Sequence, residues 1–403
     1  MTATDTAPQT RPASARHFTL AMLALAMGGF AIGTTEFVTM GLLPEIADGV
    51  GVSIPTAGHI ISAYALGVVI GAPLLAFFGA RWPRRGLLVA LMAAFALFNA
   101  ASALAANYEL LMVARFLGGF PHGVYFGVAS LVAASLAPPG RQGRAVAMVM
   151  LGLSVANVVG VPAATWLGQT LGWRSAYWAV AGLALVTVAL VAAFVPSCPG
   201  DKEATGRREL AAFAKPQVWL TLLAGAIGFG GMFAVYSYIA PIVTDVGGLS
   251  RSAVPVFLLA LGLGMVAGTW VAGVLADWSI LRSLLLSSIG IGVVLLLFAV
   301  LAPYGWVAIA PAFLITTIGS VLVVNLQLRL MDVAGDAQTL GAAMNHSSLN
   351  IANALGAWLG GVVIAAGYGY GSTAVVGALL SVAGFLVVVA SVYAQRRTAR
   401  TLA

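Results

Sequence analysis

The segment FTLAMLALAMGGFAIGTTEFVTMGLL, Phe18–Leu43, decides how the rest of the chain is read. It is a run of about 25 mostly apolar residues, longer than a signal-peptide core and long enough to cross a bilayer as a helix. Inside it stands one ionisable acid, Glu36. Insertion scales set the cost of a charged side chain at the helix centre at roughly 2.5–3.5 kcal/mol. Such a residue faces a cavity or a partner rather than lipid, so the expected role is a proton or cation site. The competing reading is a carboxylate close to a helix end that reaches the interface, since Leu42 lies only six residues further on.

The same pattern recurs along the chain. Its 403 residues are 61% hydrophobic and 8% charged, where soluble domains are nearer about 25% charged. Twelve apolar runs follow one another, at roughly 18–42, 55–79, 86–106, 108–133, 144–169, 173–195, 217–241, 253–276, 283–302, 305–328, 340–366 and 370–394. The expected fold is an all-α membrane protein of twelve transmembrane helices. No polar stretch is long enough for a soluble domain. Residues 1–16, rich in Thr, Ala and Pro, read as a disordered tail, and 396–403 as a second tail. Cys198 is the single cysteine, which excludes an intrachain disulfide. The 48 glycines suit helices that pack closely in lipid.

A net charge of +7 could suggest nucleic acid, but its distribution does not. With the N-terminus placed in the cytoplasm, sixteen of the nineteen Lys and Arg fall on inner segments. Arg174 and Arg251 alone fall on outer loops, and Arg115 lies inside a span. This is the positive-inside rule across twelve spans, with both termini cytoplasmic. The expected location is the inner (plasma) membrane, with lipid around the chain and no nucleic acid partner.

The sequence is also duplicated. A shift of 197 places Pro44, Asp48, Gly51 and Ser53 on Pro241, Asp245, Gly248 and Ser250. It also places Ala63, Leu66, Gly67, Val69 and Gly71 on Ala260, Leu263, Gly264, Val266 and Gly268. Farther on, a shift of 196 places Ala156, Asn157 and Gly160 on Ala352, Asn353 and Gly356. Two six-helix bundles of one orientation, 17–195 and 217–395, joined by a basic cytoplasmic linker at 196–216, form the parallel-repeat plan of a secondary transporter.

Several motifs carry a resemblance that covers essentially the whole chain. They are Gly33-Thr34-Thr35-Glu36-Phe37 with Gly41-Leu42-Leu43-Pro44-Glu45-Ile46, and Arg115-Phe116-Leu117-Gly118-Gly119 with His122-Gly123. Gly160-Val161-Pro162, Gly172-Trp173-Arg174 and Gly273-Val274-Leu275-Ala276-Asp277 complete the set. The chain resembles the major facilitator superfamily, and within it the arabinose-efflux-permease-like subgroup of the drug:proton antiporters. Two departures stand out. Ala80 and Pro83 replace the aspartate and glycine of the first loop signature, and Gly-Val-Pro replaces adjacent Gly-Pro in the fifth span. The resemblance implies a two-bundle fold, alternating access, a central cavity lined by spans 1 and 4, and a monomer. It also implies a cytoplasmic gate at Arg81, Arg84, Arg85, Arg144 and Asp277, with Asp277 beside the start of span 5.

Depth arithmetic places the coupling candidates. At 1.5 Å per residue, Glu36 lies about 9 Å short of its outer helix end and Arg115 about 10 Å below the same surface. A proton neutralises Glu36, with Arg115 favouring the carboxylate until substrate intervenes; the alternative is a permanent structural ion pair. His122, at i+7 from Arg115, either relays a proton or contacts a polar substrate group, or simply bonds a neighbouring helix. His346, Asn350 and Asn353 form one stripe of span 11, with Asn157 as the half-one counterpart of Asn353. These amides either contact substrate or bond between helices. Phe37, Phe126, Phe229, Phe233 and Tyr236 are candidates for an apolar lining.

The chain has no Walker loop, no Cys/His metal cluster and no Gly-x-Ser-x-Gly elbow. No cofactor, metal, enzymatic activity or ATP drive is expected. The leading function is export of small amphipathic organic molecules by proton antiport. Sugar or nucleoside efflux, possible by facilitated diffusion, is the alternative, and a sensor that binds without transport is the third.

Overall fold

A computed structural model describes residues 15–79, 82–138, 141–199, 215–334 and 338–402. Among these residues every regular element is helical. The first half contains α1 (Ala15–Gly41), α2 (Ile54–Gly79), α3 (Arg84–Leu104), α4 (Tyr108–Leu136), α5 and α6 (Arg174–Phe194). In the second half are α7 (216–236), α8 (254–278), α9 (280–301), α10 (Ile309–Ala334), α11 (Gln338–Val363) and α12 (Ser372–Leu402). Local chemistry sets many of these ends. Asn107 caps α4, its side-chain oxygen accepting from the Leu110 N–H at 2.9 Å. After α1 a short helix, Leu43–Val50, closes on Gly51 at φ 71°, a conformation open to glycine.

Two of the described spans are interrupted, and a third break falls between spans. α5 runs Gln142–Val155, widens into a π turn at Ala156–Gly160 and resumes as Val161–Leu171. Pro162 is the cause: it lacks an N–H, and its ring presses on the carbonyl four residues back. α7 is split into Pro216–Gly228 and Gly230–Tyr236. The third interruption separates α8 from α9. The path Val254–Leu301 has 48 residues, about 72 Å of helix at 1.5 Å per residue and more than twice a bilayer core of about 30 Å. It leaves helical geometry at Ser279 (φ −175°, ψ 116°), giving α8 (254–278) and α9 (280–301). The Ser283 hydroxyl lies 2.7 Å from the carbonyls of both Leu275 and Ser279, bridging the break.

Eleven described helical stretches are long and apolar enough to cross a membrane, and one of them, Trp278–Val333, is 56 residues long. That stretch turns back at Ala302–Ala308, where Gly305 takes φ 61° and ψ −116°. It therefore makes two crossings, and the total is the twelve read from the sequence.

The duplication is visible in the packing. No Cβ could be added to Gly67 of α2 without meeting the Phe116 carbonyl of α4, or to Gly71 without meeting Phe120. In the second half Gly264 of α8 lies against the Phe313 carbonyl of α10, and Gly268 against that of Thr317. All four positions match at the offset of 197. The α1–α5 contact is repeated too. Gly152 abuts the Ala26 carbonyl, and the Ser348 hydroxyl donates to the Leu222 carbonyl at 2.7 Å, an offset of 196.

The halves meet along α2–α11 and α5–α8. Ser62 donates to the Ala354 carbonyl at 3.0 Å, Gly262 sits against the Asn157 carbonyl, and Gln169 Nε2 donates to the Arg251 carbonyl at 3.1 Å. Tyr238 donates to the Ala357 carbonyl at 2.7 Å, its ring wedged against Gly58 of α2 and Gly360 and Gly361 of α11. These contacts seal the face opposite both chain ends.

Candidate functional site

Glycines bring α1 to its neighbours, with Gly33 against Leu153 and Ala156 of α5 and Gly28 against Tyr125 of α4. This seats Glu36 and Thr35 inside the first bundle, Glu36 at 8% exposure and Arg115 at 2%. The expected partners do not form an ion pair. Among the described residues the carboxylate–cation pair within 4.0 Å is Arg329–Asp332, at the far end of α10. Arg115 instead donates from Nη1 to the Thr35 hydroxyl and from Nη2 to the Thr35 carbonyl, both at 3.3 Å. Its guanidinium lies 4.2 Å over the Tyr64 ring and 5.4 Å from that of Tyr177, while its Nε has no hydrogen-bond partner. The permanent ion pair is therefore not what the fold holds. Buried charges are ordinarily paired, so an acid and a base buried near one another and left unpaired can exchange partners.

His122 extends this cluster towards the second half. The Tyr64 hydroxyl is 3.1 Å from His122 Nδ1, and the His122 ring meets Phe126 edge-on at 5.5 Å. Phe126 then stacks nearly parallel on His346 of α11, at 5.9 Å and 4°. The two histidines read separately from the sequence thus flank one phenylalanine, one from each half.

Four of the five predicted aromatics form a second junction. Phe37 stacks on Phe233 at 6.3 Å and 12°, and meets Tyr236 at 5.2 Å; Phe229 meets Phe233 edge-on at 5.3 Å. Phe37 and Phe233 are equivalents at the offset of 196, so this stack joins matching positions of α1 and α7. The amides are buried but poorly bonded. Asn157 and Asn350 each donate to the carbonyl four residues back, leaving both side-chain oxygens unpartnered. At Asn353, 1% exposed, neither amide atom has a partner, and the Tyr236 hydroxyl has none. Leaving a polar group buried and unpaired costs about 1–3 kcal/mol, so these groups are poised to bond something else.

The residues expected at a cytoplasmic gate are only partly described. Ala80 and Arg81 lie outside the described residues, and of Arg144 and Asp277 only the backbone is described. Arg84 begins α3, where its N–H donates to the Cys198 carbonyl at 2.9 Å, and Arg85 is exposed.

On the sealed face the halves enclose a cavity of about 210 Å³ lined in part by Glu45 and Asp48 from one side and Asp245 and Arg251 from the other. Asp48 and Asp245 are repeat equivalents. Burial pushes the Glu45 carboxyl above the usual range, with Arg251 pulling the other way.

Sequence reasoning missed Thr35 as a ligand of Arg115, Asn99 behind it, Tyr64 between Arg115 and His122, and the charged cluster of the sealed face. Thr35 donates to Asn99 Oδ1 at 2.6 Å. An asparagine in the apolar run 86–106 was the one available signal.

Comparisons with known proteins agree with this architecture. The family model of the Major Facilitator Superfamily matches residues 25–345. The chain is 41% identical over 377 residues to the inner membrane transport protein YdhP of Escherichia coli (strain K12), covering 94% of this chain and 97% of that one. It is 39% identical over 262 residues to a chloramphenicol resistance protein of Streptomyces lividans, covering 64% and 67%. Among solved structures, a D-xylose-proton symporter superposes with a TM-score of 0.72 at 17% identity, over 92% of this chain and 97% of the other, a likeness of fold.

Proposed function

The chain belongs to the major facilitator superfamily, and from that premise we propose that this multi-pass membrane transporter exports small amphipathic organic molecules in exchange for protons. The observation that carries the reading is Glu36. It is a carboxyl buried in a spanning helix, free of any ion pair, next to Phe37, which stacks on the opposite half. A proton on Glu36 removes a charge from the centre of the fold, and the aromatic junction beside it offers apolar area to a substrate. Each proton entering down the membrane potential contributes about 2.3 kcal/mol per 100 mV. The name of the chloramphenicol resistance relative supports a drug-like cargo.

In this reading both termini are cytoplasmic, the protein works as a monomer in the inner membrane, and bundles 17–195 and 217–395 rock about the site. His122 relays the proton, and Arg81, Arg84, Arg85, Arg144 and Asp277 serve the inner gate.

The test is Glu36→Gln in proteoliposomes, with chloramphenicol and ethidium as probes. The amide keeps the shape and removes the titrating proton. Uptake driven by a pH gradient is abolished, while exchange at equilibrium persists. A variant that still accumulates probe against its gradient in response to ΔpH sinks the reading. The unpartnered amides of Asn157, Asn350 and Asn353 favour a second reading, efflux of sugars or nucleosides by facilitated diffusion. It predicts counterflow of those compounds that ignores ΔpH in wild type and Glu36→Gln alike.

A further inference from the structure

We propose that Asn99 of α3 is a positioning residue that, acting through the Thr35 hydroxyl, holds Arg115 off Glu36. This rests on the reading of Glu36 as the coupling group.

The bond directions follow from the donors available. Asn99 Nδ2 donates to the Phe95 carbonyl at 2.8 Å, so Oδ1 is the atom turned to Thr35. A carbonyl oxygen only accepts, and the 2.6 Å contact therefore takes the single hydrogen of the Thr35 hydroxyl. What remains on that hydroxyl is lone pairs, and Arg115 Nη1 donates to them. The order of the chain is thus fixed from Phe95 to Arg115. Its neighbours on α1 show what a threonine does otherwise. Thr34 and Thr39 both donate to the carbonyl four residues back, at 2.7 and 3.3 Å. Thr35 is withheld from that habit by Asn99, which is 2% exposed and has both amide atoms engaged inside the bundle.

Without Asn99 the Thr35 hydrogen is free to turn back along the helix, as in Thr34 and Thr39, and the lone pairs that receive Arg115 Nη1 turn with it, which weakens one of the two bonds that hold Arg115. The cation can then approach Glu36. Arg115 on α4 is the ionisable group that acts on the Glu36 carboxyl, and the neutral phenols of Tyr64 on α2 and Tyr236 on α7 feel that carboxylate in turn. Tyr177 of α6 faces Arg115, its hydroxyl 2.9 Å from that of Thr39. Residues 145–171 of α5 and 254–276 of α8 include no ionisable side chain. Arg115 is the one cation in the set, so its position decides the local field.

The test needs no substrate. Full-length protein in nanodiscs is titrated while the carboxyl stretch of Glu36 is followed by infrared difference spectroscopy, with Glu36→Gln identifying the band. In Asn99→Leu the midpoint moves about one pH unit towards acid, the size and sign expected when a cation closes on a carboxylate. Thr35→Ala reproduces the shift, Thr35→Ser restores the wild-type midpoint, and Asn99→Leu adds nothing in the Thr35→Ala background. Should Asn99→Leu fail to fold, the Thr35 pair gives the same reading. Equal midpoints in wild type, Asn99→Leu and Thr35→Ala, or additive shifts in the double variant, overturn the positioning role. A Glu36 band that never titrates in wild type overturns the coupling reading itself.

Discussion

The region around α1 and α4 and its repeat around α7 and α10 share a backbone plan and differ in chemistry. Gly67–Phe116 and Gly264–Phe313 are the same contact, as are Gly71–Phe120 and Gly268–Thr317. Yet Glu36 falls on Met232 at the local offset, Thr35 on Gly231, and Arg115 on Ala312. Leu295 and Leu296 occupy the stretch that matches Asn99. The first half keeps an acid, a base and the hydroxyls that order them. The second keeps aromatics and, on α11, amides that lack partners. Close backbone approach constrains a glycine in both copies because no Cβ fits. The side chains around Glu36 and Arg115 carry no such constraint and are free to diverge. On the proposed function, the duplicated scaffold keeps the coupling groups in the first half and draws the groups that would meet cargo from both, without altering its helix packing.

That division is most exposed to test at Arg115. Arg115→Ala leaves Glu36 without a nearby cation and Tyr64 without its stacked guanidinium. A buried carboxyl left without a cation holds its proton more tightly, by about two pH units, so pH-driven transport falls by about a hundredfold. Arg115→Lys keeps the charge but cannot make both Thr35 bonds and the flat stack on Tyr64, so it retains partial activity. Equal pH-driven rates in all three proteins would remove the first half's claim to coupling.

The second half should respond in a different currency of measurement. Asn353→Leu removes a buried amide with no partner at either atom. It raises thermal stability by a few degrees, as expected for relief of about 1 kcal/mol, and raises the KM for probe about tenfold while the ratio of pH-driven to equilibrium flux stays unchanged. Loss of stability with an unaltered KM would mean that Asn353 bonds a neighbouring helix and not a substrate. A changed flux ratio would erase the contrast between the halves.

Much of this architecture was legible in the sequence, and what was not has a physical reason. Spans and their number follow from length and composition alone, because a bilayer core demands about 20 apolar residues. Glu36 announces itself by its cost. The π turn at Ala156–Gly160 does not, since it keeps an apolar composition while the backbone changes course. Asn99 and Thr35 were passed over because a hydroxyl or amide N–H in a spanning helix can bond to the preceding turn, as that of Thr34 does. Only the helix arrangement reveals that these two bond each other. The stack of Phe126 on His346 joins residues 220 positions apart and depends on which faces the two bundles present.

The smallest effect is expected on the sealed face, where the repeats also diverge. Asp48 and Asp245 are equivalent, but Glu45 and Arg251 fall on Ile242 and Ile54 at the offset of 197, so each half contributes one unmatched charge to the cavity. Burial raises the Glu45 carboxyl when the face is closed, and the nearby Asp48 adds to this while Arg251 opposes it. A group whose affinity for protons is higher in the closed form favours that form at low pH and loses the contribution as pH rises through the raised value. Closure should therefore tighten as the outer pH falls. The carboxyl is partly exposed, so solvent screening keeps the effect to about two- to fivefold in the closed population, as for a surface pair worth under about 1 kcal/mol. Spin labels at Gln169 and Ser252 report that population by their separation. Glu45→Gln should flatten its pH dependence and Arg251→Gln should move the midpoint to higher pH. A closed population that follows outer pH equally in wild type and Glu45→Gln would assign the sensitivity elsewhere and leave the outer charges as ordinary surface groups.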